Sequence, residues 1–133
     1  MDLEQARRAI QECEAFKPLS QEEQGTLLSI AQVRKFSAGE MIYRKGDKPE
    51  PSFDLIVSGS VEAQLESQLN VRLQAPHIVG EIAVISDKHE RTCNVVAVDD
   101  VCVLEWDAGE VFRIAPSVRK RLEEIGWDHL TQW

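Results

Sequence analysis

The sequence predicts a mainly β domain, a barrel or jelly roll of about eight short strands with helices before and after it. Between residues 33 and 106, short runs rich in Val, Ile, Phe and Tyr are separated by Gly, Asn and Pro, which is typical of an antiparallel all-β domain. Before and after this region the apolar residues recur at helical spacing. A chain of 133 residues with 43% apolar residues is long enough for one core. We therefore predict a single domain over residues 1–133, with N-terminal helices over 1–31, the β-structure over 33–106 and C-terminal helices over 107–133.

Two amphipathic helices are predicted at the N-terminus. The first has one apolar stripe at spacings of three and four residues, formed by Leu3, Ala6, Ile10 and Cys13, and Pro18 ends it. Ser20 lies three residues before Glu23, which is the spacing of a capping box, so a second helix is expected to begin there. The residues of this second helix that we expect to face inward are Leu27, Leu28 and Ala31.

The eight predicted strands are Val33–Phe36, Met41–Tyr43, Phe53–Ser58, Val61–Leu65, Val71–Leu73, His77–Val79, Thr92–Ala97 and Val101–Trp106. The last two are almost continuously apolar, so we expect both of their faces to be buried. Cys93 and Cys102 lie within these two strands, and we interpret them, with Cys13, as buried structural thiols.

Helical periodicity returns after Trp106. Asp107 lies three residues before Glu110 in a cap-like arrangement, Pro116 ends this helix, and Ser117 is placed to cap a last one. Gly126 weakens the last helix by about 1 kcal/mol relative to alanine. The chain end is apolar, with Trp127, Leu130 and Trp133. These side chains either pack on the barrel, cover a ligand as a lid, or form a docking surface for a partner.

Charge and hydropathy exclude several classes of partner. The 15 basic and 23 acidic residues give a net charge of −8, so we expect no nucleic-acid binding, since duplex affinity depends largely on basic residues that neutralise phosphates. No apolar stretch exceeds four residues, and the chain begins with a polar, acidic segment. We therefore expect no membrane span, no secretory signal and a cytoplasmic location.

No enzymatic constellation is evident in the sequence. The three histidines, His77, His89 and His129, are far apart, and no serine or cysteine lies in a nucleophile motif. A metal-dependent, cupin-like enzyme would need a cluster of histidines on its strands, which this sequence lacks. We expect a protein that is not an enzyme and that holds no metal.

The segment from Gly80 to Cys93 has the residue types that a sugar phosphate requires. Gly80 allows the backbone to approach a ligand closely, and the apolar turn at 82–85 has backbone N–H groups that can face an anion. Arg91 suits a phosphate through its planar fork, Thr92 adds a hydroxyl, and Glu81 can accept a hydrogen bond from a ribose hydroxyl. Glu81 and Arg91 can also be read as a surface ion pair that brackets a loop. In both interpretations we place them on a solvent-facing loop.

A set of motifs in fixed order identifies a family resemblance. They are Phe36-x-x-Gly39-Glu40-x-Ile42, Gly46-Asp47, Phe53-x-x-Ile56-Val57-Ser58-Gly59-Ser60-Val61, Gly80-Glu81-Ile82-Ala83 and Arg91-Thr92. Together, from about Phe16 to Ala115, they resemble the cyclic nucleotide-binding domain family. That family includes the catabolite activators and the regulatory subunits of cyclic-AMP-dependent kinase.

The resemblance implies an eight-stranded β-roll with a phosphate-binding cassette at residues 80–92. By this resemblance, Glu81 binds the ribose 2′-hydroxyl and Arg91 binds the exocyclic phosphate oxygens. Backbone amides around Ile82 and Ala83 complete the anion site, and Thr92 contacts phosphate or base. The implied ligand-binding residues are Gly80, Glu81, Ile82, Ala83, Arg91 and Thr92.

The resemblance also implies a function. It is that of a non-enzymatic sensor of cyclic nucleotide, cyclic AMP in preference to cyclic GMP, which regulates a protein partner or a homodimer through its terminal helices. Asp54 and Cys93 depart from the family pattern, since an aromatic residue and a small residue are common at these positions. The alternative is a domain of the same fold that binds no nucleotide and serves as an interaction or scaffold module. Since the chain stops at Trp133, we expect no DNA-reading domain.

Overall fold

The computed structural model describes residues 1–48, 51–64, 70–86 and 90–132. The helices in these residues are α1 (Leu3–Glu12), α2 (Gln21–Ile30), α3 (Glu81–Ile85), α4 (Ala108–Ile114) and α5 (Ser117–Gln132). The strands are β1 (Gln32–Phe36), β2 (Met41–Tyr43), β3 (Ser52–Ser58), β4 (Ser60–Gln64), β5 (Asn70–Gln74), β6 (His77–Val79), β7 (Asn94–Ala97) and β8 (Val101–Asp107). None of the helices in these ranges is long and apolar enough to cross a membrane.

The strands form two four-stranded antiparallel sheets, with strand orders β1-β8-β3-β6 and β2-β7-β4-β5. This confirms the predicted class, a mainly β fold with eight strands and flanking helices. Most of the predicted strand ends that differ do so by one residue. Leu65 lies outside the described residues, and β7 begins at Asn94 rather than Thr92.

Two apolar clusters lie on opposite faces of the first sheet. One is the barrel interior, where residues of both sheets meet. In the other, the strand residues come from β3, β6 and β8, and helices α1, α2, α4 and α5 cover them. Strand β3 therefore has buried residues on both faces from Phe53 to Val57, with Phe53, Leu55 and Val57 toward the helices and Ile56 toward the barrel interior.

The prediction that the last two strands are buried on both faces is wrong for β7, along which burial alternates. It is confirmed for β8, whose buried residues belong to both apolar clusters. The helix-facing cluster contains no residue of β7, so one face of that strand lacks the helical cover that β3 has. Of the cysteines, Cys13 and Cys93 are buried and Cys102 is half-buried; desolvation raises the pKa of the Cys13 thiol to about 11.

Local capping rules place the helix starts correctly in two cases. The Glu23 N–H donates to Ser20 Oγ at 3.1 Å while the Ser20 N–H donates to Glu23 Oε1 at 3.1 Å, which is the predicted capping box. Asp107 caps α4 through a 2.9 Å bond from the Glu110 N–H. Ser117, in contrast, is the first residue within α5.

The buried face of α1 differs from the predicted stripe. Leu3 is 63% exposed, and the buried positions are Ala6, Ala9 and Ile10. Of the residues predicted to face inward from α2, Leu27 is buried, and Leu28 and Ala31 are half-buried and pack against the same apolar cluster.

An aromatic group ties the N-terminal helices to the first sheet. Phe16, which follows α1, lies 5.0 Å from the Trp106 ring and 6.3 Å from the Phe53 ring, measured between ring centres. The indole N–H of Trp106 donates to the Leu27 carbonyl at 2.8 Å, so the polar atom of this buried side chain is satisfied.

Candidate functional site

The candidate cassette begins at Gly80, directly after β6. Gly80 adopts φ +85° and precedes the first residue of α3. A Cβ atom at this position would lie 2.5 Å from Arg91 Nη1 and 2.6 Å from Tyr43 Oη. Glycine is therefore required both for the left-handed backbone and for the close approach of these two side chains.

Glu81 and Arg91 are buried, which contradicts their predicted place on a solvent-facing loop. Glu81 is 1% exposed and Arg91 is 6% exposed. The reason is tertiary packing: α3, which begins at Glu81, packs against both α5 and β3, and the Arg91 side chain packs on the Tyr43 ring. The interpretation as a surface ion pair is wrong for the same reason.

The Arg91 side chain points into the barrel. Its Cζ lies 3.8 Å from the centre of the Tyr43 ring, and Nη1 donates to the Gly80 carbonyl at 3.1 Å. Weaker bonds of 3.5 Å reach the carbonyl and the hydroxyl of Ser52. The backbone of Arg91 is fixed as well, because its N–H donates to the Asp47 carbonyl at 2.8 Å and its carbonyl accepts from the Gly46 N–H at 2.9 Å.

Beneath Arg91 lies a buried pair that sequence reasoning did not assign to the site. The Tyr43 hydroxyl donates to Asp54 Oδ2, and Asp54 is 0% exposed. Its second oxygen, Oδ1, has no hydrogen-bond partner among the described residues. The one signal in the sequence was a carboxylate in the middle of an apolar strand, at a position that departs from the family pattern.

Burial governs the ionisation of this pair. Desolvation raises the pKa of Asp54 to about 7, against the lowering effects of the Tyr43 hydrogen bond and of the positive charges of Arg91 and Arg34. The negative charge of Glu105 raises it further. Desolvation and the neighbouring Asp54 also raise the pKa of Tyr43 well above its usual value, so the tyrosine remains a hydrogen-bond donor at neutral pH.

All six residues predicted for the site line one cavity. They are Gly80, Glu81, Ile82, Ala83, Arg91 and Thr92. The side chains of Tyr43, Cys93 and Val95 contribute to the same wall. Thr92 is exposed and lies outside β7, so its predicted position at the start of a buried strand is wrong.

The cavity is small in this structure. Its volume is about 30 Å³, which is room for about one water molecule, whereas pockets for small-molecule ligands usually measure several hundred Å³. Arg91 lines this cavity, and its guanidinium is stacked on the Tyr43 ring.

Helix α5 lies directly on α3. Gly126 is buried, and a Cβ atom at this position would overlap Ile85 of α3 and lie 3.8 Å from Glu81 Cγ. The next residue, Trp127, is 67% exposed, which contradicts its packing on the barrel. The Leu130 side chain and Trp133 lie outside what the structure describes.

The described ranges contain no group of three or more His, Cys, Asp or Glu side chains that could hold a metal ion.

Comparison with known proteins gives the family. The family model described as "Cyclic nucleotide-binding domain" matches residues 33–116. A search of curated protein sequences found no match. Among solved structures, the Thermus thermophilus catabolite activator protein is 26% identical, with a TM-score of 0.75 over 90% of this chain and 59% of that one.

Two kinase regulatory domains have the same fold. A structure titled "Sp-2Cl-cAMPS bound to PKAR CBD2" has a TM-score of 0.81 at 14% identity, covering 96% of this chain and 89% of that one. The regulatory subunit of a cAMP-independent protein kinase A from Trypanosoma brucei has a TM-score of 0.82 at 17% identity, covering 97% of this chain and 48% of that one. The chain thus spans about half to three-fifths of the length of the Trypanosoma and Thermus proteins.

The β-roll topology, the ordered motifs and the match over residues 33–116 lead to one conclusion: this chain belongs to the cyclic nucleotide-binding domain family.

Proposed function

We propose that this domain binds a cyclic nucleotide, cyclic AMP in preference to cyclic GMP, and regulates a partner through its terminal helices without catalysing a reaction. One observation carries the proposal: a buried arginine and a buried glutamate line the same cavity beside a left-handed glycine. The three residues are Arg91, Glu81 and Gly80.

The chemistry of this cavity suits a sugar with a cyclic phosphate. The Arg91 guanidinium offers several donors in one plane to the phosphate oxygens, and it lies in surroundings where a charge interaction is screened less than in water. Glu81 accepts from a ribose hydroxyl. We infer that the backbone of Ile82 and Ala83, in the first turn of α3, contacts the phosphate.

Binding requires the cassette to open, because a cavity of about 30 Å³ does not admit a nucleotide. We infer that Arg91 exchanges its contact with the Tyr43 ring for the phosphate, and that α3 moves away from β6. Since Gly126 of α5 rests on Ile85 of α3, this movement displaces α5. The displaced helix, with Trp127 largely exposed, then changes its contacts with a protein partner or with a second copy of the chain.

A second candidate function is that of an interaction module that binds no nucleotide. The small volume of the cavity favours it, as does the high fold similarity to a regulatory subunit described as cAMP-independent. In this version the buried Arg91, Tyr43 and Asp54 only stabilise the barrel.

Calorimetric titration of the wild-type protein with cyclic AMP and with cyclic GMP separates the two candidates. Under the first, cyclic AMP binds more tightly than cyclic GMP, Arg91→Ala weakens binding strongly, and Arg91→Lys, which keeps the charge but loses the fork, has an intermediate effect. Arg113→Ala is the matched control, because Arg113 is an exposed arginine on α4. A folded wild-type protein that binds neither nucleotide at millimolar concentration would assign the function to the second candidate.

The remaining proposals concern partners and location. With a net charge of −8, we propose that the domain does not bind nucleic acid, and mixing the protein with duplex DNA at physiological salt should produce no complex. We also propose a cytoplasmic location, which fractionation of cells that express the protein would test.

A further inference from the structure

A chain of charged and polar side chains extends from the cassette through one end of the barrel. Arg91 stacks on Tyr43, and the Tyr43 hydroxyl donates to Asp54. Asp54 on β3 pairs in register with Glu105 on β8. Glu105 in turn forms a 2.8 Å ion pair with Arg34 on β1.

The inner and outer parts of this chain differ in their access to water. The Arg34–Glu105 pair is partly exposed, so solvent screens it. Asp54 has no exposed surface, and its Oδ1 has no hydrogen-bond partner among the described residues. A buried carboxylate is stable in its ionised form only when its oxygens are well satisfied, and one oxygen of Asp54 is not.

Charged and titratable groups from several elements lie around the pair formed by Tyr43 and Asp54. The titratable and charged groups in the described residues that act on Asp54, or on Tyr43 beside it, are Arg34 of β1, Tyr43 of β2, Glu81 of α3, Arg91 before β7 and Glu105 of β8. From β6, the Val79 carbonyl accepts from the Tyr43 hydroxyl at 3.3 Å. Two negative groups and two positive groups therefore surround this pair. The largest influence on the pKa of Asp54 is its own desolvation.

We propose that Tyr43 and Asp54 are positioning residues for Arg91, and that Asp54 couples the binding of a cyclic phosphate at Arg91 to the uptake of one proton. This inference rests on the proposed function, since it describes the regulation of the same site.

The coupling follows from competition for one cation. When Asp54 is ionised, its charge favours the inward position of Arg91 and repels a phosphate that approaches the same guanidinium. When Asp54 is neutral, Arg91 is available to the phosphate and the repulsion is absent. The nucleotide is a monoanionic diester across the neutral range, so the proton comes from solvent and is added to the Asp54 carboxylate. No other bond changes.

The position of Asp54 in its titration makes the effect measurable. Burial raises the pKa of Asp54 to about 7, so the carboxyl is mostly neutral at pH 6 and mostly ionised at pH 8. Bound phosphate raises this pKa further, because an additional negative charge disfavours ionisation. Affinity should then fall with rising pH, by about tenfold from pH 6 to pH 8 if only the neutral form binds.

Tyr43 makes a second, directional prediction possible. Tyr43→Phe keeps the ring under Arg91 but removes the hydrogen bond to Asp54, which lowers the pKa of that carboxyl. The pKa should therefore increase in this variant, and the fall in affinity should begin at a higher pH. A residue that only filled space would leave the midpoint of the profile unchanged.

The experiment is a series of calorimetric titrations with cyclic AMP between pH 6 and pH 8.5, each in two buffers of different ionisation enthalpy so that bound protons can be counted. For the wild type we expect the tenfold fall in affinity and uptake approaching one proton at pH 8. Asp54→Asn should bind with constant affinity and no proton uptake. Asp107→Asn is the matched control, since it removes an exposed carboxylate and asparagine still caps α4; it should behave as the wild type.

Each outcome decides the inference. Binding that is independent of pH and equal in the wild type and Asp54→Asn overturns the coupling and leaves the proposed function intact. Absence of binding at every pH, in the wild type, in Asp54→Asn and in Tyr43→Phe, overturns the coupling and the proposed function together. If Asp54→Asn does not fold, the midpoint of the Tyr43→Phe profile decides, and an unchanged midpoint overturns the coupling.

Discussion

The guanidinium group of Arg91 lies over the ring of Tyr43, with Cζ 3.8 Å from the ring centre, and both side chains are buried. A cation on an aromatic face is worth up to about 2 kcal/mol when it is desolvated. Arg91 therefore contributes to the stability of the barrel as well as to the candidate site, and substitutions around it change two quantities that must be measured separately.

Arg91→Ala should reduce nucleotide affinity more than Glu81→Ala. Loss of a buried, charged partner of the phosphate costs on the order of 2–5 kcal/mol, roughly thirty- to several-thousand-fold. Loss of the bond from Glu81 to a ribose hydroxyl costs about 1.5–3 kcal/mol, and it also removes a charge that repels the phosphate. Calorimetry gives the affinities, and thermal melting checks the fold of each variant. Equal and negligible losses in a protein that binds nucleotide would contradict the assignment of the cassette.

Gly80→Ala should lower the free energy of unfolding by more than Gly39→Ala. The two glycines have nearly the same φ, +85° and +89°, but a Cβ atom at Gly39 has nothing within 4 Å. Gly39→Ala thus measures backbone strain alone, about 1 kcal/mol. Gly80→Ala adds the overlap with Arg91 and Tyr43, about 1–3 kcal/mol more, and should weaken nucleotide binding by displacing Arg91. Urea unfolding of both variants tests this, and equal losses would show that the close approach is not strained.

Gly126→Ala and Gly25→Ala should change stability in opposite directions. Both glycines lie within helices, and a Cβ atom at Gly25 in α2 would meet open space, so Gly25→Ala should stabilise the protein by about 0.5–1 kcal/mol. At Gly126 the added methyl group overlaps Ile85, and overpacking costs about 1–3 kcal/mol.

The double variant Gly126→Ala/Ile85→Ala provides the control for this contact. If the overlap is the cause, the stability cost of Gly126→Ala should shrink markedly in the Ile85→Ala background, which a double-mutant cycle from urea unfolding measures. Additive effects would mean that α5 does not rest on α3 at this point.

The stability of the wild type should fall as the pH rises from about 4 to about 7. The pKa of Asp54 is raised from 3.8 to about 7 in the folded protein, so the unfolded chain loses this proton first and binds fewer protons across that interval. Ionisation of Asp54 is therefore less costly in the unfolded state. The resulting loss in the free energy of unfolding is on the order of 4 kcal/mol once Asp54 is ionised in the folded protein as well. Asp54→Asn should lack this loss. The free energies of unfolding of the wild type and of Asp54→Asn, measured at pH 5 and pH 8, test this prediction. The same change with pH in both proteins would contradict it.

The sequence by itself determined the fold class and the ordered motifs of the family, because these depend on local signals. Alternation of apolar residues, turn glycines and capping spacings each act over a few residues, so all eight strands and the caps at Ser20 and Asp107 follow from short segments. The residue types of the cassette are likewise contiguous, from Gly80 to Thr92.

Only the tertiary structure decided which of these residues are buried and what they contact. Glu81 and Arg91 lie in a short segment whose pattern does not indicate that either is buried. Elements that are distant in sequence bury them: α5 and β3 pack against α3, which begins at Glu81, and Tyr43 and Ser52 contact Arg91. Gly126 lies 41 residues after Ile85 in the sequence and against it in the fold. Helix propensity alone therefore does not predict this contact between α5 and α3. Tyr43 lies on β2, Asp54 on β3 and Arg91 in the connection before β7. The raised pKa values of Tyr43 and Asp54 depend on desolvation and on distances across the barrel, which no local pattern of residues encodes.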